Sequence, residues 1–154
     1  MEKIDSTYYI NQADYPSIKF KNNATLQSIG CVVCAYAMLA CYKLGNADKA
    51  GVIQEIIDNY TNASGGFTNP SSMTIKGHAF TVMDIPDVAS ATRHEMPVVI
   101  RLNNAHNVVV RDHIKTADNY SDYKFLNPGA RANTTLDQPL ATHSTPCTYK
   151  RTLV

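Results

Sequence analysis

Cys31 follows Gly30 at the point where an apolar run with helical spacing begins, and no other residue of the chain is better placed for chemistry. The reactive form of cysteine is the thiolate, and a free thiol with a pKa of about 8.5 is mostly protonated at neutral pH. A helix N-terminus lowers that value, because its N–H groups and dipole favour negative charge. A thiol-based acyl-transfer site also needs an imidazole to exchange protons with the sulfur and a partner to fix the imidazole tautomer. Donors must also be aimed at the developing oxyanion. The chain supplies candidates in a fitting order: His106 opens a β-branched run, Asn127 closes the next one, and Gln12 lies upstream, able to fold back beside the helix start. The reading is Cys31 as nucleophile, His106 as general base, Asn127 as its orienter, and Gln12 with the Cys31 backbone N–H as oxyanion donors. Such chemistry calls for no metal and no cofactor.

These residues need elements to hold them. The spacing of Cys31, Cys34, Ala35, Met38 and Cys41 or Tyr42 predicts a helix from near Gly30 to Leu44, with Ser28 as cap and Gly45-Asn46 as stop. A second helix is predicted over 47–60, burying Ile53, Ile56 and Ile57, and a short third over 86–94. Residues 8–20 read as extended chain, with Pro16 stopping any regular element, and residues 62–72 read as a break and loop. The second half changes period. Short β-branched runs predict strands at 97–102 and 106–114 joined by a tight connection at 103–105, then at 122–126, ending in the Asn127-Pro128-Gly129 turn, and at 146–153. Helices first and an antiparallel sheet afterwards imply an α+β fold, in a single domain over 1–154.

The motifs resemble a known family. Gln12-Ala13-Asp14-Tyr15 and the run Ile29-Gly30-Cys31-Val32-Val33-Cys34-Ala35-Tyr36-Ala37-Met38-Leu39 are similar to the double-glycine-leader (bacteriocin-processing-like) cysteine peptidases of the papain-like superfamily. Gly65-Gly66-Phe67-Thr68-Asn69 resembles a loop of some members. Residues 96–102 leading to His106-Asn107-Val108-Val109-Val110 resemble their strand pair, and Phe125-Leu126-Asn127-Pro128-Gly129 their Asp-Pro-Gly turn. The resemblance spans roughly residues 8–137. It implies a papain-like fold, N-terminal helices packed on a C-terminal antiparallel sheet, and a peptidase in which Gln12, Cys31, His106 and Asn127 hold the roles given above. Two departures stand out. The orienter is Asn where the family usually has Asp, so it adds no negative charge beside the imidazolium. Arg111-Asp112-His113 stands where a small residue is more usual.

Composition sets bounds. The chain has 44% hydrophobic and 18% charged residues and a formal net charge of +1, enough to fill a core and without the basic stripe that nucleic-acid binding requires. No apolar run follows a basic start at residues 1–6, and the longest apolar stretch, 31–42, is shorter than the roughly 20 residues a membrane helix takes. The expectation is a protein cytoplasmic at synthesis, with delivery to a virion or outside the cell by a signal-independent route. Its partner would be a peptide or protein substrate, with no nucleic acid and no membrane insertion. Three of the four cysteines fall in one helix, which argues against a disulfide framework.

Competing readings are ordinary ones. Cys34 and Cys41 read as core thiols, and His78 and His94 as surface or satisfied histidines. Cys31-Val-Val-Cys34 also fits a redox motif, which would need a strand-first order. His106, His113, His143 and Cys147 match no zinc spacing. Asn-Pro-Gly makes a turn whatever its function, and Gln12 fits a solvent-facing loop equally well. At the level of function, the alternatives are a catalytically silent module for binding or assembly, and an acyltransferase using the same thiol.

Overall fold

A computed structural model describes residues 4, 6–46, 48–85, 97–102, 106–113, 123–129 and 147–154. The predicted helix at 86–94, the connection at 103–105, His94 and His143 lie outside the described residues. The fold is α+β, with N-terminal helices packed against an antiparallel sheet.

The N-terminal segment is less extended than expected. It forms two single 3₁₀ turns, Ser6–Tyr8 and Gln12–Asp14, the second capped by Asn11, whose side chain accepts the Ala13 N–H. The first long helix is also divided. A four-residue α1, Leu26–Ile29, leads through Gly30 into α2, Cys31–Leu44. Ser28 is therefore not the cap. Thr25 is: its hydroxyl accepts the Ser28 N–H at 3.1 Å, so the polar signal lies one turn earlier than the apolar period suggested. Gly45 stops α2 as expected, in the left-handed conformation at φ 61°.

Every residue of α2 from Val33 to Tyr42 is buried, so the predicted one-sided stripe is a helix covered all round. It is the axis of the core. The next helix, α3, Lys49–Tyr60, is amphipathic and capped by Asp48, whose carboxylate accepts the Gly51 N–H; it buries Val52 with the expected Ile53, Ile56 and Ile57.

Six strands follow: β1 Ser72–Ile75, β2 His78–Asp84, β3 Val98–Leu102, β4 His106–His113, β5 Tyr123–Leu126 and β6 Cys147–Leu153. Their order is β1-β2-β6-β3-β4-β5, every neighbouring pair antiparallel. Five strands from β2 to β5 form the main sheet, and β1 extends it by pairing with the first half of β2. The β1–β2 hairpin was not foreseen. Its two turn residues, Lys76 and Gly77, both have positive φ (53° and 76°), as a tight two-residue hairpin loop requires.

Val99, Val109, Leu126 and Leu153 join the helical core through one face of the sheet. That places β3, β4 and β6 against α2, with β5 beside β4, which brings the predicted base and orienter to the helix that carries the thiol. Among the described residues no helix is long and apolar enough to cross a membrane.

Candidate active site

Cys31 is the first residue of α2 and is partly exposed. Gly30 before it is needed for space rather than for an unusual backbone angle. Its φ of −88° suits any residue, but a Cβ there would come within 2.3 Å of the Leu26 carbonyl oxygen. That carbonyl accepts the Gly30 N–H at 2.7 Å, so the tight α1–α2 junction leaves no room for a side chain.

His106 begins β4 and Asn127 follows the last residue of β5, and the two strands are neighbours in the sheet. Their side chains meet: His106 Nε2 lies 2.8 Å from Asn127 Oδ1. The same oxygen accepts the Gly129 N–H at 2.9 Å, which identifies it as the acceptor end of the amide. Nε2 of His106 must then carry the proton in this bond, leaving Nδ1 as the ring nitrogen for Cys31. The imidazole is hydrogen-bonded to the Cys31 thiol.

Electrostatics follow from these contacts. Burial pushes the Cys31 thiol up, but the His106 side chain, the Asn107 backbone N–H, the imidazolium charge and the Asn107 amide together hold it below its ordinary value. Burial pushes His106 down, and the bonds to Cys31 and Asn127 with the thiolate charge more than offset this, so its pKa is raised. Both shifts favour a thiolate beside an imidazolium. The other thiols behave oppositely: burial raises Cys34 far above the normal range and Cys41 to about 11. Cys31, Cys34 and Cys41 are all free thiols. Cys34 is fully buried within α2 and no strand precedes that helix among the described residues, which removes the redox reading's structural basis.

Gln12 is buried and close to this group, in an orientation the sequence did not suggest. Its side-chain nitrogen donates to the Leu26 carbonyl at 3.2 Å and to that of Gln27, while Oε1 has no hydrogen-bond partner among the described residues. A side chain at Gly129 would come within 3.1 Å of His106 Cε1 and 3.7 Å of Gln12 Oε1, so the unpartnered oxygen lies on the imidazole side. The backbone of Gln12 also works: its N–H donates to the Pro128 carbonyl at 2.9 Å, while the Tyr9 hydroxyl donates to the Asn127 carbonyl at 2.8 Å. The N-terminal segment therefore clasps the turn that presents Asn127.

Asn107 was missed. It is completely buried, and its side-chain nitrogen lies 4.0 Å from Cys31 Sγ. The signal was present: it directly precedes an apolar run with the same parity as Val109, so its side chain must face the helix, where a buried amide requires a partner. A cavity of about 640 Å³ is lined by Val32 and Val33, which follow Cys31 in the first turn of α2, and by Gly65, Gly66 and Arg101; Cys31, His106, Asn107, Asn127 and Gln12 are not among its lining residues.

Comparison of the chain with protein families, with curated proteins and with solved structures finds no match.

Proposed function

We propose that the protein is a thiol hydrolase, a cysteine peptidase of papain-like fold, that cleaves an amide bond through Cys31, His106 and Asn127. The observation that carries this reading is the continuous Cys31–His106–Asn127 chain, with the thiol shifted down and the imidazole up. Ordinary buried cysteines are shifted the other way, as Cys34 and Cys41 are. A nucleophile opening a central helix, with base and orienter on neighbouring strands of the sheet behind it, is also the arrangement that a papain-like fold implies.

In this reaction Cys31 Sγ attacks the substrate carbonyl carbon, and the π electron pair moves onto oxygen. The oxyanion sits at the N-terminus of α2, where first-turn N–H groups point out of the helix. Gln12 Nε2 is the second donor. In the free site its hydrogens rest on two neutral carbonyls and Oε1 lies on the imidazole side, so the amide must turn over to donate; a full negative charge favours that turn because charge-assisted hydrogen bonds are roughly twice as strong as neutral ones. The intermediate collapses, the C–N bond breaks, and the amine leaves with the proton from His106. Water then attacks the thioester while His106 takes its proton; the C–S bond breaks and the acid is released. Asn127 holds the ring in the tautomer that both steps need.

The resting orientation of Gln12 favours one competing reading, a silent papain-like module whose oxyanion site lacks its second donor. Turnover separates them. Hydrolysis of a mixed peptide library by the wild type, abolished in Cys31→Ala with an unchanged circular dichroism spectrum, supports the enzyme. A wild type inert towards both peptides and thiol-directed electrophiles supports the module, and equal activity in Cys31→Ala would remove Cys31 from the reaction.

A further inference from the structure

The cavity at the first turn of α2 has a chemically mixed lining. Val32, Val33 and Phe20 contribute apolar surface and Arg101 and Arg151 two cations, and no carboxylate lines it among the described residues. Both arginines come from the face of the sheet that meets α2. Arg101 pairs with Asn107 across β3 and β4, and Arg151 pairs with Val99 across β6 and β3. Arg101 is thereby tied to the thiol: directly opposite side chains have Cβ atoms about 4.5–5.5 Å apart, and the Asn107 amide is the group lying 4.0 Å from Cys31 Sγ. Its charge also reaches His106, where it opposes the imidazolium.

Arg151 is fixed in place. Its Nη1 donates to Asn69 Oδ1 at 3.1 Å, which ties it to a loop that also lines the cavity, and its Nε reaches Asp84 Oδ1 at 3.3 Å. Asp84 is 86% exposed at its side chain, so this ion pair is worth little in net free energy and a second carboxylate can compete for the guanidinium. Two arginines of a chain with net charge of only +1 thus line one cavity at the turn of α2 that follows Cys31.

We infer that, if the thiol-hydrolase reading holds, this cavity is a specificity site for a carboxylate of the peptide substrate, held by Arg101 and Arg151 within about three residues of the attacked carbonyl. Guanidinium groups match carboxylates in geometry as well as charge, and the apolar wall suits the methylenes of an acidic side chain. An extended residue spans about 3.3 Å, which sets the three-residue reach. The carboxylate comes either from an internal Asp or Glu or from a free chain terminus.

The test reads the rate of Cys31 labelling by peptidyl vinyl sulfones, because covalent capture reports occupancy of the cavity without the natural substrate. Probe pairs differ only in Glu against Gln at each of the three positions preceding the electrophile. A further probe with only neutral side chains carries a free carboxyl terminus beyond it. At one position the Glu probe is expected to label Cys31 at least about tenfold faster than its Gln partner, the ratio one charge-assisted hydrogen bond supports. That ratio should fall towards one in Arg101→Met, and partly in Arg151→Met. Preference for the free-terminus probe over all side-chain probes instead makes the chain terminus the source. Should a variant fail to fold, the wild-type ratio read against salt decides, since a charge-based preference shrinks as ionic strength rises. Labelling at equal rates by charged and neutral probes overturns this inference and leaves the thiol reading intact. No labelling of Cys31 by any probe, nor by iodoacetamide, overturns both.

Discussion

At the scale of single residues, what distinguishes Cys31 from its neighbours is the company of hydrogen-bond donors. Asn107 supplies two of these, a backbone N–H and a buried amide. Replacing it with Leu keeps volume and burial but deletes the amide, so desolvation is opposed by less and the thiol pKa must rise. The acid limb of Cys31 alkylation in Asn107→Leu is expected to move to higher pH, measured by rates across a pH series. A role in packing alone would change stability and leave that limb where it is. Gln12→Ala is expected to cost about 10²–10³-fold in kcat, the usual size for one oxyanion donor. A loss confined to stability would instead restrict Gln12 to bracing α1 and the 127–129 turn.

Much of this scale was legible beforehand. The positions of Cys31, His106 and Asn127 were readable because a thiol at a helix start, an imidazole at a strand start and an amide at a strand end are each marked by local sequence. Asn107 was overlooked beside the more familiar His106. The direction of the Gln12 amide was not legible at all, since it depends on carbonyls of α1, 14 and 15 residues away.

At the scale of elements, the decisive feature is the α1–α2 junction. Gly30 lies against Leu26 so closely that any Cβ collides with backbone. Gly30→Ala must push α1 away from α2, and overpacking of this kind typically costs about 1–3 kcal/mol. The urea midpoint is expected to fall accordingly and Cys31 labelling to slow, because the same shift displaces the first turn of α2. A midpoint equal to wild type would show the junction to be slack. Periodicity located the helices and four strands well, because their apolar residues repeat strongly. It merged α1 with α2, since a single glycine between two helical turns leaves the apolar repeat unbroken. It passed over the β1–β2 hairpin, although Ser72-Met73-Thr74-Ile75 alternates and Gly77 marks its turn.

At the scale of the molecule, the site is assembled from both ends of the described fold. Tyr9 and Asn127 are 118 residues apart, yet the Tyr9 hydroxyl and the Gln12 N–H both hold the turn that carries the orienter. Such closure is invisible to local pattern, because no periodicity links a 3₁₀ turn near the start to a strand end so distant. Tyr9→Phe removes one bond of the clasp, worth about 1 kcal/mol. It is expected to lower kcat more than it raises KM, because a loosened Asn127 misaligns the imidazole while leaving the substrate cavity untouched. Unchanged kinetics would show that β5 alone positions the turn.

The central claim is that His106 primes Cys31, and the pH dependence of iodoacetamide alkylation, resolved cysteine by cysteine with mass spectrometry, tests it most directly. The account predicts a Cys31 midpoint below the ordinary thiol value of about 8.5, native Cys34 and Cys41 left unreacted, and an upward shift of the midpoint in His106→Ala. A Cys31 midpoint at or above the ordinary value, or one that His106→Ala leaves in place, would contradict it.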